Sequence, residues 1–183
     1  MSAKASITDE DFVFENTPVR IIVNRKCPEI ELAGLKIGSF QEGKEYEVRF
    51  WIAEELEKAG ITRFREEEML DAMKLHKIHW KERVQSVKQI SSLRKDFYPR
   101  LRRYLSSLRE DAVKKPEKMK EYERVSGLSR DIVDCRLKKI ISLASTSAQT
   151  EQFLKSMTRE ERAIYKRLHK RISNWRKEIL KLG

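Results

Sequence analysis

The chain has 183 residues, with 39% hydrophobic and 38% charged side chains and a formal net charge of +11. This length permits one medium domain or two small ones. Because so many side chains are charged, few apolar ones remain, and we expect a thin core that a partner chain completes. Two cysteines, no charged-then-apolar leader and no apolar run of about 18 residues exclude a disulfide scaffold and a membrane protein, so we expect a cytoplasmic protein.

The positive charge lies in one part of the chain. Residues 1–50 contain seven Lys or Arg and nine Asp or Glu, whereas residues 51–183 contain 33 basic and 20 acidic residues. The two net charges are therefore −2 and +13. This asymmetry predicts two regions with different tasks, and it favours a nucleic acid or an acidic protein as partner of the second.

The first region predicts a small antiparallel β domain over residues 12–50. Residues 1–11 are small, polar and acidic, and we expect a flexible tail there. After them, short runs of β-branched and aromatic side chains alternate with glycine, asparagine and proline turns. The predicted strands lie at residues 12–14, 19–23, 29–32, 36–38 and 46–50.

The second region predicts a helical bundle domain over residues 51–183, because the apolar period changes there from two to about 3.6. A first helix begins at Ile52 and ends before Gly60, a typical C-terminal glycine. A second helix covers residues 66–83. Its apolar stripe consists of Met69, Met73, His76 and Trp80.

Prolines and a glycine divide the middle of this domain. The basic residues 81–98 indicate no definite conformation, and Pro99 predicts the first turn of a new helix. The buried face of that helix comprises Leu101, Tyr104, Leu105 and Leu108. Pro116 opens a further helix, with an interruption at Gly127 and a polar break at residues 145–150. The apolar face of that helix comprises Val133, Leu137, Ile140, Ile141 and Ala144.

The last predicted helix begins at Thr158, the N-cap, and Glu161 completes a capping box. An apolar residue then recurs every three or four positions from Ile164 to Leu182. This stripe fits either an intramolecular core or a subunit interface. Because it is long and contains the bulky Trp175, we favour a subunit interface, together with the preceding apolar face. The hypothetical interface comprises Leu137, Ile140, Ile141, Ile164, Leu168, Ile172, Trp175 and Ile179.

A basic stretch with interleaved aromatic residues runs from Lys81 to Arg109. The pattern is typical of a track that neutralises phosphates and stacks bases, and equally of a solvated helix face whose aromatic residues lie in the core. The candidate nucleic-acid contacts are Arg94, Lys95, Arg100, Arg102 and Arg103. Since no sequence-specific DNA-binding motif is present, we expect any DNA contact to be weak and nonspecific.

The sequence contains no nucleophile elbow, P-loop, dinucleotide fingerprint or H-E-x-x-H motif. His76 and His79 have a spacing that can hold a metal ion on a helix. Surface or core histidines are the stronger interpretation, because zinc sites usually show a fuller set of ligands. We therefore expect neither an enzyme nor a bound metal or cofactor.

Three segments, in this order, resemble the GINS family. Residues 19–60 are similar to its small β (B) domain, in which a hairpin and a strand lead into a helix that begins Trp-Ile-Ala. Residues 130–145, RDIVDCRLKKIISLAS, resemble its core helix, with Arg136 and Lys139 at the family's basic positions. Residues 157–175, MTREERAIYKRLHKRISNW, resemble its closing helix.

The resemblance implies a function and partners. A β domain followed by a helical (A) domain is the order of the eukaryotic second and third partner subunits, which one protein represents in archaea. It implies a non-catalytic subunit of a hetero-tetramer, formed with the other GINS subunit class through the helical domains. That complex joins the MCM helicase to a Cdc45/RecJ-like protein in chromosomal DNA replication, which implies a location at the nucleoid.

Two alternatives remain open. A stand-alone nonspecific DNA- or RNA-binding protein would use the basic helical region and bury its apolar stripes internally, whereas an assembly subunit has apolar surface to spare. A small enzyme is the third interpretation, and no motif supports it. Co-purification with the other GINS subunit class discriminates between the first two.

Overall fold

The computed structural model describes residues 7–86, 89–146 and 151–181. Two compact units divide the chain, Asp11–Met69 and the remaining residues. The elements of the described residues are helix α1 (Ile7–Glu15), strands β1 (Pro18–Val23), β2 (Ile30–Leu32), β3 (Leu35–Ile37) and β4 (Glu45–Arg49), helix α2 (Phe50–Lys58), strand β5 (Thr62–Phe64), and helices α3 (Ala72–Val84), α4 (Phe97–Lys114), α5 (Met119–Ala144), α6 (Glu151–Ser156) and α7 (Arg159–Leu180). This mainly helical α+β architecture, with a small antiparallel sheet before a helical bundle, confirms the predicted fold class.

Strand β1 lies at the centre of the first unit. It pairs antiparallel with β4 on one side and β5 on the other, while β2 and β3 form a separate hairpin. Val19, Ile21 and Val23 are buried at alternate positions, which is the period that predicted the strand. In the hairpin turn, Ala33 and Gly34 have φ values of 50° and 77°, as a tight two-residue turn requires.

Four of the five predicted strands are present with slightly shifted ends, but residues 12–14 are helical and belong to α1. Phe14 is buried against Phe50, with ring centroids 4.4 Å apart, whereas Phe12 is exposed. A strand would have placed Phe12 and Phe14 on the same face of the sheet. Helix α1 also includes residues 7–11 of the predicted tail, whose residues 1–6 lie outside the described residues.

The first unit extends beyond the predicted boundary at residue 50. Helix α2 packs against the sheet through Ile52, Ala53 and Leu56, so it joins the same apolar core. Strand β5, which the sequence does not predict, pairs with β1. A three-residue strand is too short to show a period in the sequence. It is stabilised by pairing with β1, which is distant in the sequence. The unit therefore ends only at Met69.

Helix α5 is the central element of the second unit and packs against α3, α4 and α7. One apolar cluster contains Leu75, Phe97, Leu101, Val125, Leu128 and Ile132. The other, here called the α5–α7 core, contains Ile90, Ile140, Leu143, Ala144, Met157 and Tyr165. Pro99 lies in the first turn of α4, as predicted. In contrast to the prediction, α5 continues through Gly127, because packing offsets the cost of about 1 kcal/mol for a helical glycine.

Helix α3 buries a different face from the predicted one. Met73 and Trp80, two members of the predicted stripe, are each 68% exposed, while Leu75 and Glu82 are buried. Leu75 enters the core between α4 and α5, and Glu82 turns inward toward cations of α5. The helix begins at Ala72 rather than at residue 66, since Asp71 caps it and accepts a hydrogen bond from the Lys74 N–H at 2.7 Å.

Two connections complete the second unit. Residues 85–86 and 89–96 form neither helix nor strand, and they bury Ile90 and Ser91. Of the predicted polar break, residues 147–150 lie outside the described residues. The short helix α6 that follows them is not predicted by the sequence.

Candidate subunit interface

Helix α7 begins at the capping box that the sequence predicts. The Thr158 Oγ1 accepts a hydrogen bond from the Glu161 N–H at 3.3 Å, and the Glu161 Oε2 accepts one from the Thr158 N–H at 3.0 Å. Glu160 and Glu161 also bring negative charge to the positive end of the helix. This cap sets the first residue of α7 and therefore which of its side chains face α5.

The cap is joined to a buried cluster of four ionised side chains, here called the ion cluster. Arg136 of α5 donates to both oxygens of Glu161, with Nη2 2.7 Å from Oε2, and to the Oε1 of Glu82. Lys139 Nζ lies 2.7 Å from the other Glu82 oxygen. All four residues are at most 3% exposed, and two positive charges balance two negative ones. Such a buried arrangement is tolerable because the net charge of the cluster is zero and Arg136 binds both oxygens of Glu161.

Neighbouring polar groups satisfy the rest of the ion cluster. The Tyr98 hydroxyl donates to Glu161 Oε1 at 2.7 Å, and the Ser91 hydroxyl donates to Glu82. Arg136 Nη1 donates to the Ser91 carbonyl at 3.0 Å. The cluster therefore ties α3, the 89–96 segment, α4 and α7 to α5, and it fixes the position of α7.

The ion cluster also shifts two pKa values. Burial alone would raise the pKa of Glu82, but hydrogen bonds from Lys139 and Ser91 and the charge of Arg136 outweigh it and hold that pKa below its ordinary value. Burial, together with the nearby Glu161 carboxylate, raises the pKa of Tyr98. Glu82 therefore stays ionised and Tyr98 stays a hydrogen-bond donor at neutral pH.

The structure divides the predicted interface residues into an inner and an outer set. Ile140 is only 2% exposed, and it packs in the α5–α7 core with the half-buried Leu168 and Ile172. Ile140 is therefore a core residue rather than an interface residue, because its helix face is already covered by α7. The outer set, which stays in solvent, comprises Ile141, Ile164, Trp175 and Ile179.

One member of the outer set, Ile164, lines an apolar groove of about 560 Å³ in the helical unit. Its apolar lining includes Val133 and the half-buried Leu137 of α5, with Ala163 and Ile164 of α7. Glu160 lies at one edge, where burial raises the pKa of its carboxyl group. Groove and outer set together form a candidate interface, because soluble domains rarely expose several aligned apolar side chains without a partner.

The helical unit matches a known family. The family model Sld5, described as the GINS complex protein helical bundle domain, matches residues 63–180. The chain belongs to the GINS family. It is thus a replication-associated subunit of the kind that forms a hetero-oligomeric complex with other GINS subunits. No curated protein matches the chain.

The GINS match covers the whole of the ion cluster.

Among the described residues, no helix has the length and the apolar character that a membrane span needs.

One of the five candidate nucleic-acid contacts of this GINS chain lies in the interior. Arg100 is 8% exposed, and its Nε donates to Asp96 Oδ2 at 2.7 Å. Arg94 is exposed and donates to the same carboxylate at 3.1 Å. Burial would raise the pKa of Asp96, but both guanidinium groups act against it and lower that pKa. Arg100 therefore stabilises the fold through Asp96, because its position is in phase with the buried face of α4.

The other three candidates in the GINS helical unit differ in their exposure. Lys95 is exposed, whereas Arg102 and Arg103 are half-buried. Arg102 Nη2 lies 4.0 Å from Glu160 Oε1. A nucleic-acid contact through Lys95, Arg102 and Arg103 stays a prediction.

The two histidines of the metal hypothesis lie on α3. His79 Nε2 is 3.9 Å from Asp131 Oδ2 of α5, while His76 faces solvent. Within the part of the chain that the structure describes, no three His, Cys, Asp or Glu side chains come together as a metal site would require.

The ion cluster is the part of the GINS site that sequence reasoning missed. Arg136 and Lys139 attract attention only through the family resemblance, and Glu82 does not stand out at all. A signal is nevertheless present, because each charge is in phase with the buried face of its helix. Glu82 follows Leu75 by seven residues, and Arg136 follows Ile132 by four. Opposite charges in phase with two apolar faces predict a buried pair.

Proposed function

We propose that this chain is the archaeal GINS subunit in which the β domain precedes the helical domain, the counterpart of the eukaryotic second and third partner subunits. The family match at residues 63–180 carries the proposal. The sheet-containing unit Asp11–Met69 comes before most of that match, and this order supports the subunit class.

The proposed role is structural and non-catalytic. In the complex, the chain helps to join the MCM helicase ring to a Cdc45/RecJ-like protein during chromosomal DNA replication, and it acts at the chromosome without a cofactor. Membership of a family of structural replication subunits supports this role.

The proposed seam with the other GINS subunit class is the candidate interface on α7. Trp175 and Ile179 are 60% and 61% exposed, and Ile164 borders the apolar groove. Burial of one such side chain contributes roughly 1.5–3 kcal/mol, so several together supply much of an association energy. Leu168 and Ile172 lie on the inner side of the same helix and hold it in place, because they pack in the α5–α7 core.

Assembly with the partner tests this proposal. The full chain is co-expressed with the other GINS subunit class, and the mass of the purified complex is measured by light scattering. We expect a hetero-oligomer, and we expect the double variant Trp175→Glu and Ile164→Glu to lose it. Val113→Glu is the matched control, since Val113 is an apolar side chain of α4 that is 74% exposed and does not line the groove. A wild-type chain that stays monomeric and ignores the partner would refute the proposal.

The helicase role has a separate test. The assembled complex is added to MCM and a Cdc45/RecJ-like protein, and DNA unwinding is measured. We expect faster unwinding, and no nuclease or ATPase activity from the chain alone. If the complex assembles but changes neither DNA unwinding nor MCM binding, the chain is a GINS subunit without the proposed helicase role.

Nonspecific binding of DNA or RNA is the second candidate function. The net charge of +13 over residues 51–183 favours it. Binding would rest on phosphate contacts, so we expect an affinity that falls steeply with salt and does not depend on sequence. Replacing Lys95, Arg102 and Arg103 by alanine should weaken it for all oligonucleotides alike. A complex that is selective for sequence and insensitive to salt would contradict this expectation.

A further inference from the structure

Helix α3 carries apolar side chains on two opposite faces. Leu75 and Ile78 point into the helical unit. On the other side, Met73, Trp80 and Val84 are 68%, 68% and 65% exposed. Spacings of seven and four residues place these three side chains in one line of about 16 Å along the helix. We call this line and its flanking cations the outer face of α3.

The cations of the outer face follow from the ion cluster. Glu82, the one acidic residue of α3, turns inward to Arg136 and Lys139. The exposed positions beside the apolar line are basic, with Lys77 next to its centre and Lys81 and Arg83 on its two flanks. Two acidic groups lie at its borders, Asp71 beside Lys74 and Asp131 beside His79. The outer face therefore presents apolar groups between positive charges.

This pattern indicates the chemistry of an occupant. Tryptophan and methionine are enriched in protein interfaces, and a line of three apolar groups over three helical turns matches the apolar stripe of another helix. Cations on both flanks pair with acidic residues beside such a stripe. A single-stranded nucleic acid fits less well, because Trp80 alone offers a flat surface for base stacking, whereas Met73 and Val84 do not.

We propose that the outer face of α3 docks an acidic amphipathic helix of a partner protein. The surface is separate from the α7 seam and goes beyond assembly of the GINS complex. Trp80 is the central apolar anchor, and Lys77, Lys81 and Arg83 select an acidic partner over a basic one.

The test uses three fluorescein-labelled helical peptides of about 18 residues, five helical turns, with the same leucine and phenylalanine stripe. Their polar positions are acidic, neutral or basic. Binding to the full-length chain is measured by fluorescence anisotropy, alone and within the assembled complex, and a thymidine oligonucleotide serves as competitor. The variants are Trp80→Ala, the double variant Lys77→Glu and Lys81→Glu, and the matched control Trp175→Ala on α7.

We expect the acidic peptide to bind at least tenfold more tightly than the basic one. Trp80→Ala should weaken that binding about tenfold or more, whereas Trp175→Ala should change it less than twofold. The double charge variant should reverse the preference. Circular dichroism and thermal unfolding check that each variant is folded, which we expect because all the replaced side chains are exposed.

Several outcomes would overturn the proposal. Equal affinity for the three peptides would mean that the charges select nothing. Unchanged binding to Trp80→Ala would place the peptide elsewhere. Binding of the oligonucleotide, but not of the peptide, with loss in Trp80→Ala would make the face a nucleic-acid site. Loss of peptide binding in the assembled complex would assign the face to a GINS partner. None of these results affects the assembly test on Trp175, so the two proposals fail independently.

Discussion

Helices α5 and α7 lie side by side and use their side chains in opposite ways. Helix α5 buries Arg136 and Lys139 in the ion cluster. Helix α7 leaves Trp175 and Ile179 in solvent. The ions are inside because their partners, Glu82 and Glu161, lie within hydrogen-bond distance. The apolar side chains are outside because the described part of the chain supplies no surface that covers them. Burial here depends on available partners more than on residue type.

The comparison also separates stability from assembly. The ion cluster joins α3, α4 and α7 to α5, so changes there should act on folding. Trp175 and Ile179 of α7 are 60% and 61% exposed, so changes there should act on association. The following predictions test this division, from the largest expected effect on stability to the smallest.

Arg136→Ala should have the largest effect. It leaves Glu82 and Glu161 buried with unbalanced charge, and removal of one partner from a buried pair costs about 3–5 kcal/mol. The free energy of unfolding is measured by urea denaturation. Lys138→Ala on the exposed side of the same helix is the control and should lie within about 0.5 kcal/mol of wild type. If the two variants are equally stable, the ion cluster does not hold the helices together.

Acid should weaken the ion cluster through Glu82. Its folded pKa is lowered from the ordinary value of 4.5, so its carboxylate stabilises the fold above that pH. This contribution is lost as the pH falls through the lower folded pKa. We expect the urea midpoint of wild type to drop on acidification to about pH 3, and that of Glu82→Gln, already low, to drop less. Parallel pH curves for the two proteins would contradict this assignment.

Thr158→Ala should have an intermediate effect. It removes the acceptor for the Glu161 N–H, and loss of an N-cap costs about 1 kcal/mol, up to about 2. Thr158→Ser keeps the hydroxyl group and should retain most of the stability. Thermal unfolding of both variants is the measurement. Equal losses in the two would mean that the methyl group, rather than the cap, matters at this position.

Trp175→Ala should have the smallest effect on the isolated chain, within about 0.5 kcal/mol of wild type, because the side chain is exposed. Its effect should appear in assembly instead. We expect affinity for the other GINS subunit class to fall about tenfold or more, as for an aromatic interface anchor. Isothermal titration with the purified partner gives that affinity. A variant that unfolds easily but still assembles normally would reverse the division drawn above.

Local sequence patterns predict much of the fold. The alternation of Val19, Ile21 and Val23 predicts β1, and Thr158 with Glu161 predicts the start of α7. Pro99 locates the first turn of α4. These signals are short-range, because capping bonds and side-chain periods involve residues a few positions apart. The three segments that resemble GINS are of the same kind, and two of them, residues 130–145 and 157–175, lie within the family match.

Tertiary contacts decide what the local patterns leave open. Phe12 and Phe14 suit a strand as well as a helix, and the ring contact of Phe14 with Phe50 favours the helix. Met73 and Trp80 have the period of a buried stripe, yet they lie outside because Leu75 enters the core instead.

The candidate interface shows the same limit. The sequence by itself determined that α5 and α7 each carry an apolar stripe, since periodicity is a property of one helix. Only the tertiary structure decided that Ile140 is covered and that Ile164, Trp175 and Ile179 are not. It also decided that Arg100 and Arg136 are buried. A helix face is buried or exposed according to which distant residues pack on it, and a buried charge is stable only where an opposite charge meets it.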